Sequence, residues 1–334
     1  MEVKYGADKD GLICGYLFMP GQTGVSVDLD RALQWLDEHD GLRDGFVWLH
    51  FNLSDTPAEG TLRRRLPMVP EFFDALREGS RSTRIEDASD TLVAVVNDVA
   101  YEFAFDASEI ATLWVQVSPG LAITARTHPL KSIDRLRQAV RDGLPFGSSV
   151  DFLNRLMRDQ GDVLVRIVRA ATLQVDDIED SLLAGRLRSK RLDLGKLRRV
   201  LVRLQRLLAP EPGALFRLLR RPPPWVPADD ADGLRQATEE FTLVLRDVAE
   251  LQERIKLLQE EIAAQLGEQT NRSLFTLTVV TVLALPINIV AGLFGMNVGG
   301  IPLAEDAHGF AFIVGLILAF TVLAAWWVFF RERD

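Results

Sequence analysis

Hydrophobic and polar positions follow three successive patterns along the chain. Up to about Val150, short apolar runs alternate with amphipathic segments, and after that point the apolar residues recur at the spacing of helices. Runs rich in β-branched and aromatic residues predict strands at Leu12–Met19, Phe46–Leu53, Leu92–Val96, Leu113–Val117 and Leu121–Thr124. Helical spacing and capping residues predict helices at Ser26–His39 and Glu71–Glu78. We therefore expect residues 1–150 to form an α/β domain.

Residues 151–272 are predicted to form a helical region that ends in a long stalk helix. The prolines between Pro222 and Pro227 interrupt the helical pattern, which then continues from about Asp230 to about Phe294 without another proline before Pro286. One apolar seam at a spacing of three and four indicates packing against other helices. Its members are Phe241, Val244, Val248, Leu251, Ile255, Leu258 and Ile262.

Residues 273–334 contain two uncharged segments that are each long enough to cross a bilayer, at about 273–294 and 309–330. Arg272 precedes the first segment and Arg331 follows the second, whereas the connecting loop 295–308 contains no basic residue. Because basic residues favour the cytoplasmic side, both termini are predicted to be cytoplasmic and the short loop external. The sequence thus predicts a multi-pass protein of the cell inner membrane, in contact with lipid.

Charge and composition narrow the possible functions. The chain has 38 basic and 47 acidic residues, a net charge of −9, which argues against a general nucleic-acid binder. Cys14 is the only cysteine, so neither an intrachain disulfide nor a multi-cysteine metal site is possible. We find no zinc-protease helix, phosphate-binding glycine loop or nucleophile elbow, and therefore expect neither an enzyme nor a bound cofactor.

A polar stripe runs along the first predicted span at a spacing of three and four residues. It consists of Asn271, Leu274, Thr278, Thr281, Leu285, Asn288 and Gly292. Polar groups are costly in hydrocarbon unless they are paired or hydrated. Two explanations remain open: hydrogen bonds between neighbouring helices, or a water-filled path. A path would need several copies of the chain around an axis, because two helices cannot enclose one.

Acidic residues lie beyond both ends of this stripe. Continued towards the N-terminus, the same spacing reaches Glu260, Glu253 and Glu250, which either line a cytoplasmic vestibule that attracts cations or form a solvated helix face. In the external loop, Glu305 and Asp306, with His308, either raise the local concentration of cations or are simply solvated. A further acidic cluster, at Asp176, Asp177, Glu179 and Asp180, is either a solvated face or a regulatory metal site.

The end of the first span carries a resemblance to a known family. Gly295-Met296-Asn297, followed by a short acidic loop and a second C-terminal span, resembles the CorA family of divalent metal-ion transporters. The continuation from Val298 to Pro302 is similar to its zinc-transporting ZntB branch. The resemblance implies a homopentamer with a cytoplasmic funnel, a pore lined by the first span, and Asn297 at the outer mouth beside Gly295 and Met296.

Zinc transport across the bacterial inner membrane is accordingly the leading hypothesis. A ring of Asn297 amide oxygens could hold a hydrated dication without removing its water. Because direct zinc ligation favours Cys or His and the predicted pore has neither, the preference for zinc rests on the resemblance. A magnesium or cobalt channel and a membrane-anchored scaffold or signalling protein are the alternatives. The direction of transport, proton coupling and gating stay open.

Overall fold

The computed structural model describes residues 6–39, 45–79, 84–88, 90–106, 109–184, 191–296, 300, 302–303, 306 and 308–331. Its contacts divide the chain into two compact units, Met1–Gln259 and Glu260–Asp334, which are described separately. Asn297, Glu305 and the chain end after Arg331 lie outside the described residues.

The first unit is built on a mixed seven-stranded sheet in the order β2-β1-β3-β7-β6-β5-β4. The strands are β1 Leu12–Phe18, β2 Val25–Ser26, β3 Phe46–Asn52, β4 Arg84–Asp87, β5 Leu92–Val99, β6 Ile110–Ser118 and β7 Leu121–Arg126. Strands β3 and β7 pair in parallel, from Val47 opposite Leu121 to Asn52 opposite Arg126, and the other pairs are antiparallel. The five predicted strands are confirmed, and the two that the sequence did not predict are the short edge strands β2 and β4.

Helices cover both faces of the sheet. One face carries α1 (Leu29–Glu38), α2 (Thr56–Arg65) and α3 (Pro70–Glu78), whose apolar residues join a core with Leu49 and Phe72. The other face carries α4 (Lys131–Arg141) and the start of α5 (Ser149–Leu183), in a core with Trp48 and Phe152. Because both faces are covered, every residue of β5 and β7 is buried, and these strands read as nearly continuous apolar runs.

From Ser149 onward the chain is helical, as the sequence predicted. Helix α5 starts at Ser148, whose Oγ accepts hydrogen bonds from the backbone N–H groups of Val150 and Asp151 at 3.1 and 2.9 Å. It is followed by α6 (Arg191–Leu208), α7 (Pro210–Leu219) and α8 (Ala228–Phe294). The predicted long helix is confirmed and begins two residues earlier than expected.

The apolar seam of α8 is buried at every position from Phe241 to Ile262, as its spacing predicted. Polar contacts accompany it in the first unit. Gln252 Nε2 donates to the carbonyl oxygen of Leu201 on α6 at 3.0 Å, and Arg198 Nη1 donates to Gln259 Oε1 at 2.9 Å. The seam is therefore a packing feature, with hydrogen bonds between α6 and α8 at its edge.

The second unit contains the end of α8 and α9 (Gly309–Arg331). Within the described residues, α8 holds one segment that is long and apolar enough to cross a membrane, and Gly309–Ala324 forms a shorter apolar helical run. By length and composition, the first predicted span is thus supported. The second span, the membrane topology and the placement of the termini stay predictions.

Candidate functional site

The polar stripe of α8 lies on a helix face that α9 does not cover. From Ser273 onward, the half-buried residues of α8 are Val279, Leu283, Ala284, Pro286, Ile287 and Val290. At 3.6 residues per turn, these positions centre roughly 180° from the stripe. All seven stripe residues, from Asn271 to Gly292, are exposed. Within one chain, α8 is therefore partly covered on the side opposite the stripe, and its polar face stays open.

The covered face adjoins α9 across an apolar groove of about 420 Å³. Its lining comprises Pro286, Ile287, Val290, Leu316, Ile317, Ala319, Phe320 and Leu323. No stripe residue belongs to this lining, so the polar groups of the stripe do not join α8 to α9 at this groove. Hydrogen bonding between these two helices, one of the two explanations of the stripe, has no support at this position.

The hydroxyl groups of the stripe satisfy their donors within the helix itself. Thr278 Oγ1 donates to the carbonyl oxygen of Leu274 at 2.9 Å, and Thr281 Oγ1 donates to that of Leu277 at 2.8 Å. The oxygen lone pairs stay available on the exposed face. The amide of Asn288 has no hydrogen-bond partner among the described residues. The face thus offers hydroxyl and amide oxygens, which suit hydrated cations.

At the end of α8, the backbone N–H of Gly295 donates to the carbonyl oxygen of Ala291 at 2.9 Å, and Met296 is exposed. Asn297, the predicted outer-mouth residue, and Glu305 are outside the described part of the chain. Of the loop residues predicted to attract cations, Asp306 Oδ1 accepts a hydrogen bond from the backbone N–H of His308 at 2.9 Å, and the imidazole of His308 is almost fully exposed. Asp306 and His308 are therefore adjacent and open to solvent.

The predicted vestibule carboxylates are all exposed, and two of them have partners on their own helix. Arg246 Nε donates to Glu250 Oε1 at 3.1 Å, and Lys256 Nζ donates to Glu253 Oε1 at 3.0 Å. Glu260 is exposed in the second unit. Ion pairs between exposed residues are screened by water, so these carboxylates can still contribute to a negative surface.

The acidic cluster on α5 contacts a cation of the same chain. Arg254 Nη2 on α8 lies 2.8 Å from Asp176 Oδ1 and also forms an ion pair with Glu179. Among the residues that the structure describes, no group of three or more His, Cys, Asp or Glu side chains could hold a metal ion. The regulatory metal site that the sequence left open for this cluster is therefore not supported.

Among the buried carboxyl groups that sequence reasoning missed are Asp98 and Glu211. Asp98 lies in β5, whose other positions are apolar or neutral polar, and Glu211 follows Pro210 in the first turn of α7. A charged residue within a fully apolar strand pattern is a detectable signal in the first case. In the second, the helix-start pattern of Pro210 and Glu211 looks like an ordinary exposed turn.

Comparison with known proteins agrees with this architecture. A divalent cation transporter of Pseudomonas aeruginosa, CmaX, is 29% identical over the whole of this chain and 99% of its own length. The zinc transport protein ZntB of Yersinia enterocolitica is 24% identical, covering 84% of this chain and 86% of its own. The solved structure of full-length CmaX superposes with a TM-score of 0.79 at 28% identity, over 98% of this chain and 100% of that one.

The family assignment rests on a match that covers most of the sequence. Residues 43–331, from the α/β domain to the end of α9, match the family described as CorA-like Mg²⁺ transporter protein. This range includes the polar stripe and Gly295-Met296-Asn297, on which the resemblance was first based. The chain belongs to the CorA-like family.

Proposed function

We propose that this protein transports divalent metal cations across the bacterial inner membrane, with zinc as its main cargo. The observation that carries the proposal is the uncovered polar face of α8, from Asn271 to Gly292, on the side away from α9. Polar groups on an otherwise apolar helix are energetically costly when they face lipid. The same face is stable where it borders water and hydrated ions.

A homopentamer supplies the enclosure that one chain lacks. Five copies of α8, each turned with its polar stripe to a common axis, would form a pore lined by hydroxyl and amide oxygens. In this arrangement Asn297, with Gly295 and Met296, forms the outer mouth. Asp306, His308 and Glu305 would attract cations outside, and Glu250, Glu253 and Glu260 inside.

The cargo is proposed from the relatives together with the stripe chemistry. CmaX is named for divalent cations in general and ZntB for zinc, whereas the family description names magnesium. Oxygen atoms that contact a hydrated ion discriminate weakly between dications. Magnesium or cobalt transport is therefore the competing function within the same pore, and proton coupling is an added feature that the same assay can detect.

Transport into proteoliposomes tests the proposal. Purified protein is reconstituted with a zinc indicator or a magnesium indicator inside, with and without a pH gradient, and ion entry is compared with protein-free vesicles. We expect zinc entry to exceed magnesium entry, and Asn297→Ala to reduce it strongly. Val280→Ala, an exposed position of α8 well away from the stripe face, is the matched control and should transport normally.

Each outcome has a defined meaning. If vesicles with wild-type protein take up neither ion faster than protein-free vesicles, the proposal of transport is wrong. A membrane-anchored scaffold or signalling protein is then the favoured alternative. If magnesium enters faster than zinc, the transport proposal stands and the zinc assignment is wrong. If Asn297→Ala and Val280→Ala behave alike, the outer-mouth role of Asn297 is wrong.

A further inference from the structure

Two carboxyl groups are buried at the junction between the sheet and the helical region of the first unit. Asp98, near the end of β5, is 5% exposed, and Glu211, in the first turn of α7, is 1% exposed. Burying an ionised carboxylate is costly unless hydrogen bonds or a cation compensate. The two residues differ in the compensation that they receive.

Asp98 is well provided with donors. Its Oδ2 accepts a hydrogen bond from the backbone N–H of Ser132 at 2.7 Å, and its Oδ1 accepts one from Val99 at 2.7 Å. Ser132 lies in the first turn of α4, so Asp98 satisfies one of the free N–H groups at that helix start. Asp98 therefore has a structural role in fixing α4 to β5.

Glu211 accepts fewer hydrogen bonds than Asp98. Its Oε2 accepts one hydrogen bond, from Gln160 Nε2 on α5 at 3.2 Å. Gln160 Nε2 also donates to the carbonyl oxygen of Asn97 on β5 at 2.8 Å. One side-chain amide thus joins α5, β5 and α7, and its bond to α7 depends on Glu211.

The surroundings leave little room for water. Asn97, Asp98 and Gln160 line a cavity of about 10 Å³, together with apolar residues of α5 and α6 such as Leu204 and Leu208. A volume of this size holds about one water molecule at most. Glu211 itself is almost fully buried, so its ionised carboxylate would have to leave this position to become hydrated.

Charged groups on the neighbouring elements do not offset this burial. Asp159 on α5 is engaged by Arg135 and Arg155, and Lys131 on α4 acts on Asp98. Of the elements packed against α7, β4 carries Arg84, Glu86 and Asp87, and on α6 Arg203 is half-buried whereas Asp193, Lys196, Arg198, Arg199 and Arg206 are exposed. Burial first, and the charge of Asp98 in the same direction, raise the pKa of Glu211 to about 8, against a smaller lowering by Gln160.

We propose that Glu211 is a proton-binding site that controls the attachment of α7 to α5 and β5. Protonated, the neutral carboxyl stays buried against Gln160 and holds the start of α7 in place. After it releases its proton to water, the carboxylate moves towards solvent, the link through Gln160 opens, and α7 loosens. This proposal concerns the first unit alone and does not depend on the proposed transport function.

The direction of the pH response follows from this arrangement. A buried acid that is protonated in the closed state and ionised in the open state favours closure at low pH. Between the ordinary glutamate value of 4.5 and about 8, opening becomes easier by up to about tenfold per pH unit, and above that range the effect levels off. Closing of α7 therefore becomes less favourable as the pH rises.

Amide hydrogen exchange of the full-length protein in detergent measures this opening. The measured exchange rates are corrected for the intrinsic effect of pH on exchange. We expect the protection of α7 amides in wild-type protein to fall by up to about tenfold per pH unit between pH 6 and pH 8. Glu211→Gln, which mimics the protonated acid, should stay protected across that range. Glu239→Gln, at an exposed position of α8, is the matched control and should follow wild type.

A second variant keeps the test decisive if Glu211→Gln folds poorly. Asp98→Asn removes the neighbouring charge and so makes the Glu211 pKa less raised. If Glu211 controls the opening, the fall in α7 protection should level off at a lower pH and be smaller in total than in wild type. If Asp98 acts only through its hydrogen bonds, the variant should change α7 protection by the same factor at every pH. A wild-type profile that is flat with pH, or one that Glu211→Gln reproduces, would overturn the proposal.

Discussion

Arg254 on α8 and Asp176 on α5 form a cross-helix ion pair, with 2.8 Å between Nη2 and Oδ1. The same guanidinium also pairs with Glu179, one turn further along α5. The negative charge of these two acidic residues on α5 is thus balanced by a cation of the same chain. We interpret these contacts as a polar attachment between α5 and α8, beside the buried seam.

Replacing Arg254 by alanine should therefore weaken this attachment modestly. Because Arg254, Asp176 and Glu179 are each about 40% or more exposed, the expected loss of stability is up to about 1 kcal/mol, and it should shrink at high salt. Thermal unfolding at low and high ionic strength measures both effects. Arg246→Ala, which removes an exposed pair within α8, should cost less, and an equal cost would contradict a cross-helix role.

The buried imidazole of His50 predicts a separate dependence on pH. Its Nδ1 lies 2.8 Å from Thr124 Oγ1, and its Nε2 accepts a hydrogen bond from Arg126 Nε at 3.2 Å. Burial, and then the charges of Arg126 and Arg137, hold the pKa of His50 well below 6.5. Folded protein therefore keeps the ring neutral, while unfolded protein takes up a proton as the pH falls below about 6.5.

Because of this difference, the His50 contribution to stability is complete above about pH 6.5 and is lost on acidification. Between pH 7 and pH 5, the stability advantage of wild type over His50→Gln should narrow by up to about 2 kcal/mol. Thermal unfolding of both proteins across this range measures the change, with the exposed His128→Gln as control. A constant difference between wild type and His50→Gln would show that His50 does not titrate on unfolding.

The single thiol gives a direct probe of the first unit. Burial raises the pKa of Cys14 to about 11, and hydrogen bonding from Arg137 lowers it by less. At pH 8 only about one thiol in a thousand is ionised, so a disulfide reagent should label native protein slowly and unfolded protein at once. In a Cys14→Ser background, Glu239→Cys provides the exposed comparison. Equal labelling rates for the two thiols would contradict the half-buried placement of Cys14 and its raised pKa.

Much of the fold could be predicted from periodicity alone. The strands at Leu12, Phe46 and Leu113 and the long helix to Phe294 carry strong patterns, because a covered sheet and a buried helix seam impose regular apolar spacing. Helix α2 was missed, since its exposed face and three successive arginines from Arg63 to Arg65 give almost no apolar periodicity. Helix α4 was missed although its buried face is regular.

The candidate site was predictable only in part. The stripe from Asn271 to Gly292 follows from one helix, so spacing fixes its common face. That this face stays uncovered depends on α9, which adjoins α8 on another side and whose position no local pattern encodes. Glu211 on α7 and Asn97 on β5 are linked only through Gln160 on α5, and such long-range proximity is absent from any window of the sequence.

Charge in the proposed vestibule should affect transport through long-range attraction. Glu250→Gln combined with Glu253→Gln removes two exposed carboxylates per chain. At low salt, this should slow the passage of ions on the cytoplasmic side by about 3-fold. The effect should fade at high ionic strength, because screening shortens the reach of exposed charges. Glu239→Gln together with Glu240→Gln is the matched control. A salt-independent defect would point to a structural cause.

Cysteine accessibility of α8 in reconstituted vesicles tests the central claim, a water-filled cation path along its polar stripe, most directly. In a Cys14→Ser background, Asn288→Cys and Thr281→Cys are compared with Ile287→Cys and Val279→Cys, which lie on the half-buried face towards α9. We predict that a charged, membrane-impermeant thiol reagent modifies the two stripe positions, that this blocks zinc entry, and that Ile287→Cys and Val279→Cys stay unmodified. Modification of those two positions, with Asn288→Cys and Thr281→Cys inert, would contradict the account.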